Sequence, residues 1–246
     1  DISLNIFLPF LEGNGLVDTE AIQFTVDGAE NWVVTENKGV TKVQIKGITP
    51  VDIDKVFTIK ATVSANGATV TKEIPVSIEI YCDKVLADEA EGSAMANLMN
   101  AIKDYGKAAD AYNAGTLTGD AEVNYGEAKA PAASAVFTDV NLNLNAGFIW
   151  KVAVAEGVET VSAKYSYNGE AVEAELKVVG GKVTVEQKAF DLGKDITLTV
   201  GEESITFNFA FYAEAAIAAA GEDAAKVEGM LDATWKYAVA AAAIKA

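Results

Sequence analysis

Aspartate and glutamate are the acid–base groups this chain carries in number, 36 of them against 19 Lys+Arg and no histidine. Val51-Asp-Ile-Asp54 sets Asp52 and Asp54 two residues apart, which on a strand puts both carboxylates on one face. Glycoside hydrolysis needs two carboxyls facing each other across a cleft. A flush pair on a strand makes no cleft, so the pattern predicts a solvated face. Calcium is the other partner acids suit: Asp18-Thr-Glu20, the Asp52/Asp54 pair and Asp88-Glu89-Ala-Glu91 offer hard oxygen ligands. None of them has the spaced acids, central glycine and closing glutamate of an EF-hand loop. No catalytic residue, metal ligand or cofactor is therefore assigned, and calcium is the one ion the acidic runs would suit.

The aromatics are more open to binding. Trp32 follows the turn at Asp27-Gly28 and stands beside Asn31, while Tyr165 and Tyr167 share a strand face next to Asn168-Gly169. A flat ring for the CH face of a sugar, with Asn, Asp and Glu for its hydroxyls, is the chemistry of carbohydrate binding. Trp32, Tyr165 and Tyr167 are accordingly the candidate ligand-binding residues. Phe148 and Trp150 suit a core, because tryptophan is usually well buried.

Absences narrow the function further. All 19 basic residues are lysines, cysteine occurs once at Cys82, and the formal charge is −17. Without histidine there is no Ser-His-Asp or Cys-His nucleophile and no imidazole metal site. Without arginine there is no bidentate clamp for phosphate. One cysteine closes no internal disulfide. So acidic a chain repels nucleic acid and anionic lipid. The longest apolar run, Ala238 to Ile244, is too short to cross a bilayer, so no membrane insertion by this segment is expected. A chain that starts at Asp1 reads as trimmed, with a leader or anchor expected outside it.

The elements that must position these residues occur twice. Ile2–Ile6 reads like Val140–Leu144, 138 residues on; Phe57–Ala61 reads like Ile196–Val200, 139 on. Ile74–Tyr81 reads like Ile205–Tyr212, 131 on, and Tyr105 matches Tyr237, 132 on. The one drop falls at a hairpin, Asn66-Gly67 in the first copy and Gly201-Glu202-Glu203 in the second. Removing four residues from each arm preserves the strand faces, since the side-chain period is two. Alternating runs at Leu4/Ile6/Leu8, Ile22/Phe24/Val26, Thr41–Ile45, Lys164–Tyr167 and Ala174–Val179 predict strands. Asn168-Gly169 and Gly180-Gly181 predict hairpins. Ile74/Val76/Ile78/Ile80 and Ile205/Phe207/Phe209/Phe211 predict two longer strands. After Tyr81 and Tyr212 the spacing turns helical: a short helix, a break at Gly92-Ser93 or Gly221, then a longer helix. Asn113 to Ala135 has no sustained period and reads as a linker.

The run Pro75-Val-Ser-Ile-Glu-Ile-Tyr81 and the tail Tyr105-Gly-Lys-Ala-Ala-Asp-Ala-Tyr112 resemble a repeat of uncharacterised secreted surface proteins of Gram-positive gut anaerobes. There a strand ending in Tyr precedes a helix that ends in a Tyr-Gly-x-Ala-Ala-x-x-Tyr tail. The second copy departs from this, with Ala238 for the glycine and Ile244 for the last aromatic. The resemblance covers about half of each copy. It implies an exported bacterial module, secreted or cell-surface, often one part of a larger protein, and carries no catalytic residues.

The fold expected is mainly β with α: two tandem homologous modules, each an antiparallel β-sandwich-like sheet closed by a helical pair. The modules span 1–114 and 136–246, with a linker at 115–135. The function expected is a non-catalytic extracellular module of a bacterial cell-surface protein, for adhesion or scaffolding, and not an enzyme. Its partner would be a host or bacterial surface glycan or protein, with no nucleic acid. The alternatives are a carbohydrate-binding module using exposed Trp32, Tyr165 and Tyr167, and a carboxylate-only glycosidase.

Overall fold

The computed structural model describes residues 2–8, 22–37, 40–65, 68–120, 122–144 and 147–245. Asp18, Glu20 and the Asn66-Gly67 turn lie outside them. The fold is mixed β and α, and the chain divides into two compact units, Asp1–Ala87 and Asp88–Ala246.

The first unit contains β1 (Ile2–Phe7), β2 (Ile22–Asp27), β3 (Trp32–Asn37), β4 (Val40–Ile48), β5 (Phe57–Ala65) and β6 (Ala68–Val76). Helix α1 (Ile78–Asp88) closes it. The strands form two antiparallel sheets, β1-β4-β3 and β2-β5-β6. Leu4, Leu8, Val43, Ile45, Phe57 and Ile59 are buried along them, the inward half of each alternating run. Cys82 is buried on α1 and behaves as a small hydrophobe.

The second unit contains α2 (Ala94–Ala114), β7 (Phe137–Asn143), β8 (Phe148–Val154), β9 (Thr160–Tyr167), β10 (Glu170–Lys177), β11 (Lys182–Gln187), β12 (Ile196–Val200) and β13 (Glu203–Phe207). Helices α3 (Phe209–Ala219) and α4 (Ala224–Lys245) follow. Its antiparallel sheets are β11-β8-β7 and β10-β9-β12-β13. Their inward side chains and those of α3 and α4 form one cluster around Trp150, Phe207, Phe209, Leu198 and Leu231. Each large apolar side chain so buried contributes roughly 1.5–3 kcal/mol. Trp150 is fully buried, and its indole N–H donates to Gln187 Oε1 at 2.9 Å. Gln187 in turn donates to the Asp191 carbonyl at 3.1 Å, so the side-chain polar atoms of Trp150 and Gln187 are matched.

Helix α2 and the segment 115–135, placed by sequence in the first module and in a linker, both lie in the second compact unit.

Two long strands of the sequence reading are corrected. β6 stops at Val76 and β13 at Phe207; Ile78, Ile80, Tyr81, Phe209 and Phe211 belong to helices α1 and α3. The cause is capping. Ser77 Oγ accepts from the Ile80 N–H at 2.9 Å, and Asn208 Oδ1 accepts from the Phe211 N–H at 3.1 Å. Each satisfies an orphan donor of a first turn. Four apolar residues at spacing two cannot reveal this, because the periodicity changes halfway along. The Asp52/Asp54 strand face is also corrected. Pro50–Asp52 is a 3-10 turn that opens on the preset φ of Pro50, and the Thr49 hydroxyl donates to Asp52 at 2.6 Å.

Other local readings hold. Ser93 caps α2 through the Ala96 N–H at 3.1 Å, and Gly115, at φ +72°, ends it. Asn168-Gly169 takes positive φ at both residues, as a two-residue hairpin requires. β9 and β10 pair through that hairpin, whereas β2 and β3 separate into different sheets.

Candidate functional site

Helices α2 and α4 pack side by side within the second unit. They run antiparallel: Tyr105 stacks on Tyr237 with centroids 5.6 Å apart, while Lys226, near the start of α4, sits 4.3 Å over the Tyr112 ring near the end of α2. Small residues on both facing stripes allow the approach.

Between the two helices and the segment 117–124 lies an open groove of about 830 Å³. On α2 it is lined by Asn97, Asn100, Ala101, Asp104 and Ala108, and on α4 by Gly229, Asp232, Ala233, Lys236 and Ala240. These five α4 positions each lie 132 residues beyond an α2 counterpart, the spacing that also separates Tyr105 from Tyr237, while Trp235, Val239 and Ala243 line the groove from α4 alone.

The third wall is held down by Asp232. This buried carboxylate accepts from the Asp120 N–H at 2.7 Å and from the Tyr125 hydroxyl. Lys236 pairs with Asp120 at 2.9 Å, and this bond, with the Glu122 N–H, holds the Asp120 carboxyl below the usual range. Burial, then the hydrogen bond to Asp232 and that residue's charge, pushes the Tyr125 phenol up. Further along, Asn208 accepts from the Lys129 N–H at 3.1 Å and donates to the Glu127 carbonyl at 2.9 Å. The same amide caps α3, so one side chain fixes strap and helix together. At Gly229 the strap crosses so closely that an added Cβ would stand 2.5 Å from the Thr118 carbonyl oxygen.

A glycosidase acid needs a carboxyl held proton-bearing near neutral pH. Asp120 is pulled the other way by Lys236, and Asp232 receives protein donors on both oxygens. Of the acids considered for calcium, Asp52 is engaged by Thr49 and Lys55, and Glu89 accepts from the Ser93 hydroxyl at 3.0 Å. Among the described residues no three His, Cys, Asp or Glu side chains converge.

The three aromatics singled out by sequence are not brought together with this groove. Trp32 lies on β3, directly opposite Ile45, and is half-buried. Cross-strand partners share a face, so Trp32 is on the core side of its sheet. Tyr165 packs against the core of the second unit. Tyr167 carries the Lys188 ammonium 5.0 Å over its ring. Sequence reasoning missed Asp120, Tyr125, Asp232 and Lys236. Their partners are more than 100 residues away, and the only signal was an Asp four residues before Lys236 on a helix.

Tyr105 offers a test of this helix pair. Its hydroxyl is buried with no hydrogen-bond partner among the described residues; the adjacent Thr234 hydroxyl donates instead to the Met230 carbonyl at 2.7 Å. Tyr105→Phe keeps the stack and removes an unmatched polar atom, so it should stabilise the protein by about 1 kcal/mol in chemical denaturation. Burial also pushes this phenol well above its usual range. Its contribution is complete below the unfolded value of about pH 10 and is lost above it, by up to about 1.4 kcal/mol per pH unit. Wild type should therefore weaken more steeply than Tyr105→Phe above pH 10, and parallel pH profiles would refute this.

Comparison with protein-family models, with curated proteins and with solved structures finds no match to the chain.

Proposed function

We propose that the chain is a non-catalytic extracellular module of a bacterial cell-surface protein, serving adhesion or scaffolding toward a surface glycan or protein. The observation that carries this reading is the use of the interior carboxylates. Asp232 binds the strap, and Asp191 accepts from the Ser166 hydroxyl at 2.5 Å and from the Gly169 N–H. Both acids fix backbone, and neither stands free over a cleft. The remaining acids are largely at the surface, where a charge of −17 keeps the protein dispersed. The resemblance of the Tyr105–Tyr112 tail supports export to the cell surface.

Two homologous modules are part of the same reading. Ser77 and Asn208, 131 residues apart, cap equivalent helices. Equivalent tyrosines stack on each other, and five equivalent pairs line one groove. Contact between equivalent positions is the pattern of an isologous pair, which closes on itself and does not propagate.

The carbohydrate-binding alternative is left with the part of Trp32 that its half-buried place on an edge strand leaves open, since Tyr165 packs on the core and Tyr167 lies under Lys188. Labelled protein on arrays of glycans, mucin and extracellular-matrix proteins, with calcium and then with chelator, tests these readings. Retention without turnover is expected. Retention on glycans that Trp32→Ala abolishes favours the sugar reading, and loss with chelator assigns calcium to the acidic loops. Release of reducing sugar from any glycan overturns the non-catalytic reading, and failure to be retained on every surface overturns adhesion.

A further inference from the structure

We propose that the groove between α2, α4 and the segment 117–124 receives an amphipathic helix of another protein that carries lysine or arginine along the edges of its apolar face. This deepens the reading of the chain as an interaction module and names the partner chemistry.

Three observations carry it. First, shape: the α2 positions from Asn97 to Ala108 recur at helical spacing over about 16 Å, some three turns at 1.5 Å per residue. The floor is alanine from both helices, so a third helix can approach closely. Second, polarity: Leu117, Val123 and Val239 add apolar wall, and Val239 is half exposed, left without a covering side chain. Third, charge: Asp104, Asp120 and Glu122 carry carboxylates along the groove, with Asp232 buried behind them, against Lys236 on Asp120 and Lys107, 3.5 Å from Asp104. The acids still outnumber the cations, in a chain of charge −17, and this favours a basic occupant. The same sign disfavours a second copy of this chain, since two molecules of charge −17 repel.

The site is bounded by its strap. Asp232 and Tyr125 keep segment 117–124 on α4, so the third wall is fixed before a partner arrives.

The probe is an 18-residue helical peptide of leucine, alanine and lysine, titrated calorimetrically into the full chain at physiological salt, with a glutamate-for-lysine peptide as control. Binding of the lysine peptide at least tenfold tighter than the control is expected. Asp104→Lys, which reverses an exposed charge on one wall, and Ala243→Phe, which fills the groove from an exposed position, should each weaken it at least tenfold. Both sites are solvent-facing, so the variants keep the fold, and far-ultraviolet circular dichroism checks this. No binding overturns the inference. Equal binding by both variants also overturns it, because attraction would then be diffuse charge. Concentration-dependent self-association abolished by Ala243→Phe would assign the groove to a second copy instead. If the peptide fails while array retention persists, this inference falls and the adhesion reading stands.

Discussion

Asp232→Ala should cost the protein about 3 kcal/mol in chemical denaturation. Asp232 is 4% exposed and accepts two hydrogen bonds from residues more than 100 positions away. Hydrogen bonds to a charged group contribute roughly 1.5–3 kcal/mol each, and removing the acceptor strands two donors. Asp232→Asn keeps one acceptor oxygen but turns an amide N–H₂ toward the remaining donor, so it should fall between wild type and Ala. A cycle with Tyr125→Phe isolates the phenol–carboxylate bond, with an expected coupling of about 1–2 kcal/mol. A loss below 1 kcal/mol for Asp232→Ala would mean that the strap is held by its apolar contacts instead.

Gly229→Ala should destabilise by about 2 kcal/mol, the opposite sign from its helical context. Replacing glycine by alanine inside a helix ordinarily gains about 1 kcal/mol. Here the new Cβ would stand 2.5 Å from the Thr118 carbonyl oxygen and 2.7 Å from Leu117 Cγ. The first obstacle is backbone, and that backbone is tied down two residues later by Asp232. Overpacking of this kind costs roughly 1–3 kcal/mol beyond the lost gain. Gly119→Ala provides the contrast: its Cβ would meet the Glu228 side chain, whose flexible carboxyl can swing away. It should therefore be the milder of the two. Equal or reversed thermal midpoints would show that the strap gives way more easily than the helix.

How much was legible in the sequence differs from element to element. The Asn168-Gly169 and Gly180-Gly181 turns, the Ser93 cap and the breaks at Gly92 and Gly221 followed from local chemistry, because the responsible atoms lie within a few residues. The strand ends at Val76 and Phe207 did not. Ile78 and Phe209 continue an apolar alternation, and a single capping side chain outweighs it. The binding candidates Trp32, Tyr165 and Tyr167 were chosen by residue type beside turns. Their exposure depends on what packs above each ring, here the core for Tyr165 and Lys188 for Tyr167.

By itself the sequence determined the chemistry that is missing, the acidic balance, the two-residue turns and the near-constant spacing of like segments. These depend on composition or on neighbours along the chain. Only the tertiary structure decided that α2 belongs to the second compact unit, that Tyr105 meets Tyr237, and that 117–124 becomes a groove wall. Each of those outcomes joins residues more than 100 positions apart. Such pairing is set by which faces can exclude water together and which buried donors find an acceptor, and no local pattern encodes that choice.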